Sequence, residues 1–301
     1  MLDAQAIAMA ARPTRIPYAC RCFDEIDSTN EEVKRRIEKG EPEGTVATAL
    51  VQTGGYGRQG RRWASPAGSL YLSLLLRPLD HGVAAKDLPT LSLAVALAVH
   101  DVLASFSDDA GVVVKWPNDV LCSQGKLCGI SLEAVRQAVC IGIGINVFEP
   151  VEVPELTGSF GPAYLERIAD LSVLHRFEGE DACSDALPFD GKRKRACAAA
   201  FDDAGRLSVG ACSVLEDVAG RLLASVDRLY AQWLHGGFAA LVDEYNAHAY
   251  LTGRSVGIAL MNGDVVARGE VVRTDERGCL VLRDAGGAEC AIASGEAHVV
   301  L

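Results

Sequence analysis

A segment rich in glycine and arginine, residues 52–63, holds the residues of this sequence best suited to chemistry. Its four glycines allow backbone angles that other residues avoid, so a ligand can approach the main chain closely. Its three arginines keep their charge and form forked contacts with phosphate or carboxylate oxygens. The segment has neither the Gly-Lys-Ser/Thr ending of a Walker loop nor the glycine spacing of a dinucleotide-binding loop. We therefore predict a loop that closes over an anion, with a surface turn of solvated arginines as the alternative.

A second cluster, Lys-Trp-Pro-Asn-Asp at residues 115–119, lies where a proline interrupts a pair of predicted strands. A carboxylate such as that of Asp119 is a ligand that Mg²⁺ prefers, and the amide of Asn118 can bond a phosphate oxygen. The cluster therefore predicts a contact with a nucleotide and its metal ion. An ordinary hairpin corner with an Asn-Asp turn is the competing interpretation.

Two further clusters place glycines next to polar residues on neighbouring strands. In residues 126–130, Lys126 lies where the chain re-enters the sheet, and Gly129 leaves space beside it. In residues 141–146, isoleucine alternates with glycine up to Asn146, and glycine within a strand indicates close approach of a ligand or another backbone. The alternatives are a surface lysine on a hairpin and a thin strand packed under a helix.

The composition limits the classes of protein to which the chain can belong. Its 301 residues are enough for one large domain and a small one, and nearly half of them are hydrophobic. The net charge of −11 disfavours a general nucleic-acid binder. We find no continuous apolar stretch long enough for a transmembrane helix and no secretory signal. Since the ten cysteines form no Cys-x-x-Cys pair, we expect reduced thiols in a cytoplasmic protein. From the charge and the absence of a long apolar stretch, we expect that it binds neither DNA nor membrane.

The elements that must position these clusters alternate between helix and strand signals in the first half of the chain. Residues 1–22 are weakly patterned and are expected to form a tail or a first strand. Capping residues at 27–32 precede a predicted helix over 33–37. A long apolar run over 91–106, without strand punctuation, predicts a core helix. Strands are predicted at residues 44–51, 70–76, 111–115, 120–122, 126–135 and 139–147.

A poorly patterned segment interrupts the second half of the chain. Residues 150–212 are expected to form a variable insertion with a short helix near 164–174. The basic run at 192–195 is interpreted as a solvated loop. Apolar residues at helical spacing then predict helices over 213–233 and 237–245.

The last part of the chain changes character near residues 251–253. Short β-branched segments separated by turn residues, including an Asn-Gly pair, predict a small β-barrel. The sequence therefore divides into an N-terminal tail at residues 1–22, a domain at 23–251 that carries the four clusters, and a C-terminal domain at 252–301.

Taken together and in this order, the four clusters resemble the biotin protein ligase family. The resemblance rests on Ser28-Thr29-Asn30 and on residues 52–63, 115–119, 126–130 and 142–146. In that family the loop follows the pattern Gly-Arg-Gly-Arg-x-Gly-Arg-x-Trp. Here Tyr56 stands in place of the first arginine, whereas Arg58, Gly60, Arg61 and Trp63 follow the pattern. The loop is therefore one arginine short of the family's usual number.

The resemblance implies an α+β fold with two domains: a mixed-sheet catalytic domain resembling class II aminoacyl-tRNA synthetases, and a small SH3-like β-barrel. It implies a two-step reaction in which biotin attacks the α-phosphate of ATP, giving biotinyl-5′-AMP and pyrophosphate. A lysine of a biotin carboxyl carrier protein, from acetyl-CoA carboxylase or a related carboxylase, then takes the biotin and releases AMP. ATP and biotin are the implied substrates, with Mg²⁺ as the implied cofactor.

The same resemblance implies a role for each matching residue. Arg58 and Lys126 are the implied catalytic residues, because they can neutralise the charge that builds up when a carboxylate approaches a polyphosphate. Asp119 is the implied magnesium ligand. The residues implied to bind ATP are Arg58, Arg61, Trp63, Asn118 and Asn146. The residues implied to bind biotin are Ser28, Thr29, Asn30, Gln52, Gly55, Tyr56, Gly57, Arg58, Lys126, Gly129 and Gly144.

Three other functions compete with this one. A lipoate-type acyl ligase resembles this fold and chemistry, but the glycine-arginine loop and the barrel-like tail favour biotin. A non-enzymatic biotin or nucleotide sensor is disfavoured by the charges at Arg58 and Lys126. A DNA-binding regulator is disfavoured because only 27 residues precede Ser28, too few for the winged-helix domain of bifunctional members. We therefore expect a monofunctional form, as a monomer or a homodimer.

Overall fold

The computed structural model describes residues 1–12, 14–106, 111–151, 160–169, 171, 200–260 and 264–300. The α-helices within these ranges are α1 (Ala4–Ala11), α2 (Thr29–Glu38), α3 (Leu91–Ala104), α4 (Val209–Gly236) and α5 (Val242–Ala247). The strands of a first sheet are β1 (Ala19–Ile26), β2 (Thr45–Gln52), β3 (Ser69–Leu76), β4 (Val113–Lys115), β5 (Asp119–Cys122), β6 (Gly125–Val135) and β7 (Ala138–Asn146). Short 3₁₀ turns lie at Arg58–Gly60, Pro78–His81, Ala85–Thr90, Leu165–Arg167 and Phe238–Ala240.

The first sheet is mixed and has the strand order β1-β2-β3-β7-β6-β5-β4. Strands β1 and β2 run parallel, and α2 makes the crossover that a parallel connection requires. Every other neighbouring pair in this sheet is antiparallel. The predicted α+β class with a mixed sheet is therefore confirmed.

The two faces of this sheet bury different side chains, because alternate residues of a strand point to opposite faces. In β3, Leu70, Leu72, Leu74 and Leu76 belong to the main core, which also contains the apolar side chains of α3 and α4. On the opposite face, Leu75 joins a smaller apolar cluster beneath α2. The sheet is thus covered by α3 and α4 on one face and partly by α2 on the other.

The N-terminal segment departs from the tail or first strand predicted for residues 1–22. Helix α1 is capped by the side chain of Asp3, and β1 already begins at Ala19. Helix α1 packs against α4 at Gly220, where an added Cβ atom would overlap Ala10. Tertiary packing therefore orders a segment whose own pattern is weak.

Two helices also differ from their predicted bounds. Helix α2 begins at Thr29, inside the predicted capping segment 27–32, and Ser28 makes no side-chain capping hydrogen bond. Helix α4 is a single helix of 28 residues that extends the predicted 213–233 at both ends. The helix predicted over 237–245 is a 3₁₀ turn followed by the short α5. The helical periodicity located these helices but did not fix where they begin and end.

The predicted insertion over residues 150–212 is described only in part. The short helix predicted near 164–174 is a 3₁₀ turn at Leu165–Arg167 within the described residues. The basic run at 192–195 lies outside them. Lys126 forms an isolated bridge with Pro162, so the described part of the segment pairs with the start of β6.

A second, antiparallel sheet forms the C-terminal part of the chain, with the order β11-β10-β9-β8-β12. Its strands are β8 (Ser255–Ala259), β9 (Val265–Thr274), β10 (Leu280–Arg283), β11 (Glu289–Ile292) and β12 (Glu296–Val299). These strands agree with the short strands predicted for this region, and the SH3-like class stays a prediction. The Asn-Gly pair at residues 262–263 lies outside the described residues.

Hydrogen bonds tie the second sheet to the first part of the chain. The indole Nε1 of Trp116 donates to the carbonyl oxygen of Gly278 at 3.0 Å. The amide of Asn246 donates to the carbonyl oxygen of Thr274 and accepts from its backbone N–H, both at 2.8 Å. The second sheet is therefore held against the Lys-Trp-Pro-Asn-Asp segment.

The segment Ala85–Ala104 is long and apolar enough to cross a membrane by length and composition alone. It contains α3, in which most side chains are buried against the first sheet and α4. Its apolar surface is accounted for by the core of the protein.

Asp227 on α4 fixes the chain that leads from α1 into β1. Its carboxylate accepts a hydrogen bond from the backbone N–H of Arg15 at 3.0 Å and another from that of Ile16 at 2.9 Å. The Asp227 residue is buried. A buried carboxylate with two backbone donors is stabilising as long as both contacts are kept.

We expect Asp227→Ala to lower the free energy of unfolding by about 2 kcal/mol, because two backbone N–H groups lose their acceptor. The matched control is Asp217→Ala on the same helix, where an ion pair with Arg221 at 2.6 Å lies at the surface. That change should cost less than about 0.5 kcal/mol. Urea unfolding of the three proteins measures the difference, and equal losses for both variants would contradict the assignment.

Candidate active site

A cavity of about 680 Å³ lies between one face of the first sheet, the N-terminal end of α2, the glycine-arginine loop and β12. The predicted site residues that line it are Thr29, Asn30, Gln52, Tyr56, Gly57, Arg58, Arg61, Trp63, Asn118, Asp119, Lys126, Gly129, Gly144 and Asn146. Side chains from all four sequence clusters therefore meet at one place.

The floor of the cavity is formed by two rows of residues on three adjacent strands, most of them small. Tyr71 of β3 pairs with Gly144 of β7, which pairs in turn with Gly129 of β6. In the next row, Ser73, Gly142 and Ser131 face each other in the same way. The cavity has room above the sheet because five of these six residues are glycine or serine, with Tyr71 as the exception.

One end of the cavity is polar and uncharged. The carboxamide oxygen of Gln52 accepts from the backbone N–H and the hydroxyl of Thr29, at 2.8 and 3.1 Å. The hydroxyl of Ser73 is 2.6 Å from the carboxamide oxygen of Asn30, whose Nδ2 donates to Ser131 at 3.0 Å. Glycine is required at position 142, because a Cβ atom there would overlap the amide of Asn30. The network holds several amide and hydroxyl groups in fixed orientations.

The other end of the cavity carries the positive charges. Lys126 forms an ion pair with Asp119, with Nζ 2.6 Å from the carboxylate oxygen. The guanidinium of Arg58 donates to the amide oxygen of Asn118 at 3.1 Å. Burial lowers the pKa of Arg58 and also that of Lys115, since each cation loses hydration that nearby carboxylates only partly replace. An anionic ligand would restore part of that lost stabilisation.

The amides of Asn118 and Asn146 also support the backbone. The side chain of Asn118 donates from Nδ2 to the backbone carbonyl oxygen of Ile130 at 2.8 Å. The backbone carbonyl oxygen of Asn118 accepts from the backbone N–H of Ile130 at 2.9 Å. Asn146 donates from Nδ2 to the carbonyl oxygen of Lys126 at 3.0 Å. Both residues line the cavity while fixing the strand that carries Lys126.

The glycine-arginine loop is a narrow hairpin with a 3₁₀ turn at its tip. Backbone hydrogen bonds join Gly57 N–H to Arg61 at 2.8 Å and Trp63 N–H to Gly55 at 3.0 Å. At the tip, Gln59 has a φ of 62°, a left-handed conformation that is uncommon for a residue other than glycine. Beyond the tip, Arg61 forms an ion pair with Glu296 of β12. The loop therefore spans from the first sheet to the second.

Trp63 closes the base of this hairpin over the glycine row. A Cβ atom at Gly144 would lie 2.8 Å from the indole Nε1, and one at Gly129 would lie 2.9 Å from the ring. The ammonium of Lys126 lies 5.2 Å from the centre of the ring, within the range of a cation–π contact. In this structure the two glycines accept the indole, and their predicted contact with biotin stays a prediction.

Two of the residues predicted to bind biotin do not line the cavity. Ser28 is buried at the N-terminal end of α2, where its backbone N–H donates to the side chain of Asp27 at 2.8 Å. Gly55 packs behind the loop, where an added Cβ atom would overlap the hydroxyl of Ser65. Their neighbours in sequence, Thr29 and Tyr56, line the cavity, so Ser28 and Gly55 lie in the layer behind its wall.

Several residues that line the cavity were missed by the sequence reasoning. Ser131 follows Gly129 by two positions, so the strand period of two would have placed it on the same face. Lys115 belongs to the second cluster, but its burial inside the site has no local signal. Glu296 and His298 come from the second sheet, and only the tertiary fold brings them to the cavity.

The predicted magnesium ligand Asp119 is tested by its surroundings. The described residues contain no group of three or more His, Cys, Asp or Glu side chains that could hold a metal ion. Asp119 is one carboxylate already paired with Lys126. Mg²⁺ commonly binds one or two carboxylates together with substrate phosphates, so Asp119 fits the ion only as part of a nucleotide complex.

Comparison with known proteins gives consistent matches. The model of the biotin/lipoate A/B protein ligase family matches residues 22–146. A biotin--[acetyl-CoA-carboxylase] ligase of Mycobacterium tuberculosis is 31% identical over 276 residues, covering 89% of this chain and 84% of the relative. One from Paracoccus denitrificans is 40% identical over 127 residues, covering 40% of this chain. That match spans about half of the Paracoccus relative, 51% of its length.

Solved structures agree on the fold. A biotin protein ligase from Aquifex aeolicus, in complex with biotin and ATP, has a TM-score of 0.68 and is 24% identical in sequence. The match covers 93% of this chain and 98% of that one. At this level of identity the likeness supports the architecture alone.

We expect Gly144→Ala to displace the indole of Trp63, because the added methyl group would meet it at 2.8 Å. Trp116 and Trp233 are buried elsewhere, so a shift of tryptophan emission to longer wavelength with stronger acrylamide quenching reports on Trp63. Stability should fall by about 1 kcal/mol. Gly161→Ala is the control, since nothing lies within 4 Å of its added Cβ. Identical spectra for the two variants would rule out the packing described.

Proposed function

This chain belongs to the biotin protein ligase family, and we propose that it activates biotin with ATP and transfers it to a lysine of a biotin carboxyl carrier protein. The observation that carries the proposal is the division of one cavity into an uncharged hydrogen-bonding end and a cationic end. Biotin has the matching form, with a neutral ureido ring at one end and a carboxylate at the other. The carrier protein as acceptor and the individual reaction steps go beyond family membership and are part of the proposal.

The geometry of β6 supports an elongated ligand of this kind. Ser131 at the polar end and Lys126 at the charged end lie five residues apart on one strand, with a β-bulge at residues 126–128. Five residues of regular strand would span roughly 16 Å, and the bulge makes the separation shorter. The glycine row between them leaves a path for an aliphatic chain, with Trp63 as its cover.

The uncharged end favours biotin over lipoate, although the matching family model includes ligases of both. Thr29, Asn30 and Gln52 place amide and hydroxyl groups at this end, joined by short hydrogen bonds. A ureido group has both donors and an acceptor to offer such a pocket. The dithiolane ring of lipoate has no comparable donors or acceptors to offer these groups, so it would gain less from this end of the cavity.

In the first step, the biotin carboxylate attacks the α-phosphate of ATP, forming biotinyl-5′-AMP and releasing pyrophosphate. Two anions must approach each other, so their repulsion must be cancelled locally. Arg58 and Lys126 supply the cations, and the buried Lys115 adds a third. With ATP bound, Mg²⁺ held at Asp119 would share the phosphate charge. Asn118, Asn146, Arg61 and Trp63 are the proposed nucleotide contacts.

In the second step, the amine of the carrier lysine attacks the acyl carbon of the mixed anhydride, and AMP leaves. Water can attack the same carbon, so the adenylate must be shielded until the carrier arrives. The glycine-arginine loop lies over the cavity and is fastened at Arg58 and Arg61, which suits it to this role. The loop is thereby proposed to act as a lid.

Incorporation of labelled biotin into a carrier domain, dependent on ATP, tests the proposed activity. Lys126→Ala should reduce biotin-dependent pyrophosphate release by about 100-fold or more, because a cation at the reacting carboxylate is lost. Lys86→Ala is the matched control, since this exposed lysine lies outside the cavity. No incorporation by the unaltered protein would refute the function, and near-normal turnover of the Lys126 variant would refute the role of that residue.

Arg58→Gly is expected to leave the fold intact and to release biotinyl-5′-AMP about ten times faster or more, because the loop loses its charged contact with the site. Unselective labelling of bystander proteins should rise in parallel. Arg206→Gly, at a side chain that is 80% exposed, is the control. The lid role fails if the variant retains its adenylate as long as the unaltered protein does.

A further inference from the structure

Tyr56 stands where the loop pattern of the family has its first arginine, and its hydroxyl group has a defined place. The phenol oxygen lies 2.8 Å from a carboxylate oxygen of Glu31 on α2 and 3.0 Å from one of Glu133 on β6. Its single proton is therefore placed between two acceptors. This contact joins the loop to a helix and a strand at once.

The surroundings keep the phenol in its donor form. Burial raises the pKa of Tyr56, a hydrogen bond with Lys34 lowers it in part, and hydrogen bonds with Glu31 and Glu133 raise it. Lys34 lies 2.6 Å from Glu31 and 3.0 Å from Glu133, and its ammonium is 5.3 Å from the centre of the tyrosine ring. The four side chains form a closed cluster of two carboxylates, one ammonium and one phenol.

The cluster also reaches the polar end of the cavity. The oxygen of Glu133 that faces Tyr56 is 3.4 Å from Nδ2 of Asn30. Asn30 lines the cavity and is held by Ser73 and Ser131. The loop and the uncharged ligand pocket therefore share one carboxylate oxygen.

An arginine is not the only side chain that can bind the loop to this cluster. Lys34 bridges Glu31 and Glu133 and offsets one of their two negative charges, and the neutral phenol of Tyr56 lies within hydrogen-bond distance of both carboxylates. A hydrogen bond to a charged acceptor contributes more to stability than one between neutral groups. Tyrosine also adds a stiff ring, which loses little conformational freedom when it is fixed.

We propose that Tyr56 is a positioning residue that latches the glycine-arginine loop over the polar end of the cavity, acting through Glu31 and Glu133. The latch fixes the side of the loop opposite to Arg58 and Arg61, which are held at the nucleotide end. We expect the latch to slow the release of biotin, and this expectation rests on the proposed function. The contacts of Tyr56 with Glu31 and Glu133 do not depend on that function.

Hydrogen exchange of the ligand-free protein tests the latch directly. Tyr56→Phe keeps the ring and removes the donor, so the amides of residues 54–62 should exchange about ten times faster. Tyr230→Phe is the matched control, because Tyr230 donates to Glu43 at 2.9 Å outside the cavity. That variant should leave the loop unchanged. Loop exchange in Tyr56→Phe equal to that of the unaltered protein would overturn the proposal.

Biotin release and a second variant separate the latch from the proposed function. Tyr56→Phe should release biotin about ten times faster, and Tyr56→Arg, which restores a donor at this position, should return both loop exchange and release to the original rates. Equal loop exchange in the Phe and Arg variants would count against the latch. Faster loop exchange in a protein that binds no biotin would support the latch and refute the proposed function.

Discussion

The small side-chain volume on one face of β6 and β7 is the constraint on which the site depends. Where β3, β6 and β7 pair, Gly129, Gly142 and Gly144 stand beside serines in adjacent rows. The opposite face of the same strands carries the leucines and isoleucines of the main core. The strand period of two lets one segment do both tasks, because each residue belongs to one face only. The same alternation of residues along the strands therefore produces an apolar core on one face and a cavity on the other.

The glycine-arginine loop depends on that cavity for its own order. It has little apolar content, so it is held by separate contacts of Tyr56, Arg58, Arg61 and Trp63 with different parts of the structure. Each contact engages an element outside the loop. Its conformation is thus a product of the finished fold, and its glycines, together with the left-handed Gln59, permit the tight path between these anchors.

Much of the fold and of the site could be predicted from the sequence, for reasons that are local. The alternation in residues 141–146 identified a strand with an open face, and the loop composition indicated an anion site. The predictions that failed were those made from weak local patterns. Helix α1 is ordered through close packing against α4, and Glu296 reaches the cavity from a distant strand. Periodicity revealed space above Gly129 but could not reveal that Trp63 fills it, because occupancy depends on the path of the loop.

The hydrogen bond from Trp116 to Gly278 has a consequence for the architecture of the chain. The donor belongs to the segment that carries Lys115 and Asn118, whereas the acceptor belongs to the second sheet. A fragment without that sheet would uncover a buried indole and leave its N–H without this acceptor, directly beside the cationic end of the cavity. The C-terminal sheet, which also contributes Glu296 and His298 to the lining of the cavity, is thus a wall of the site as well as a support for the segment that carries its cations.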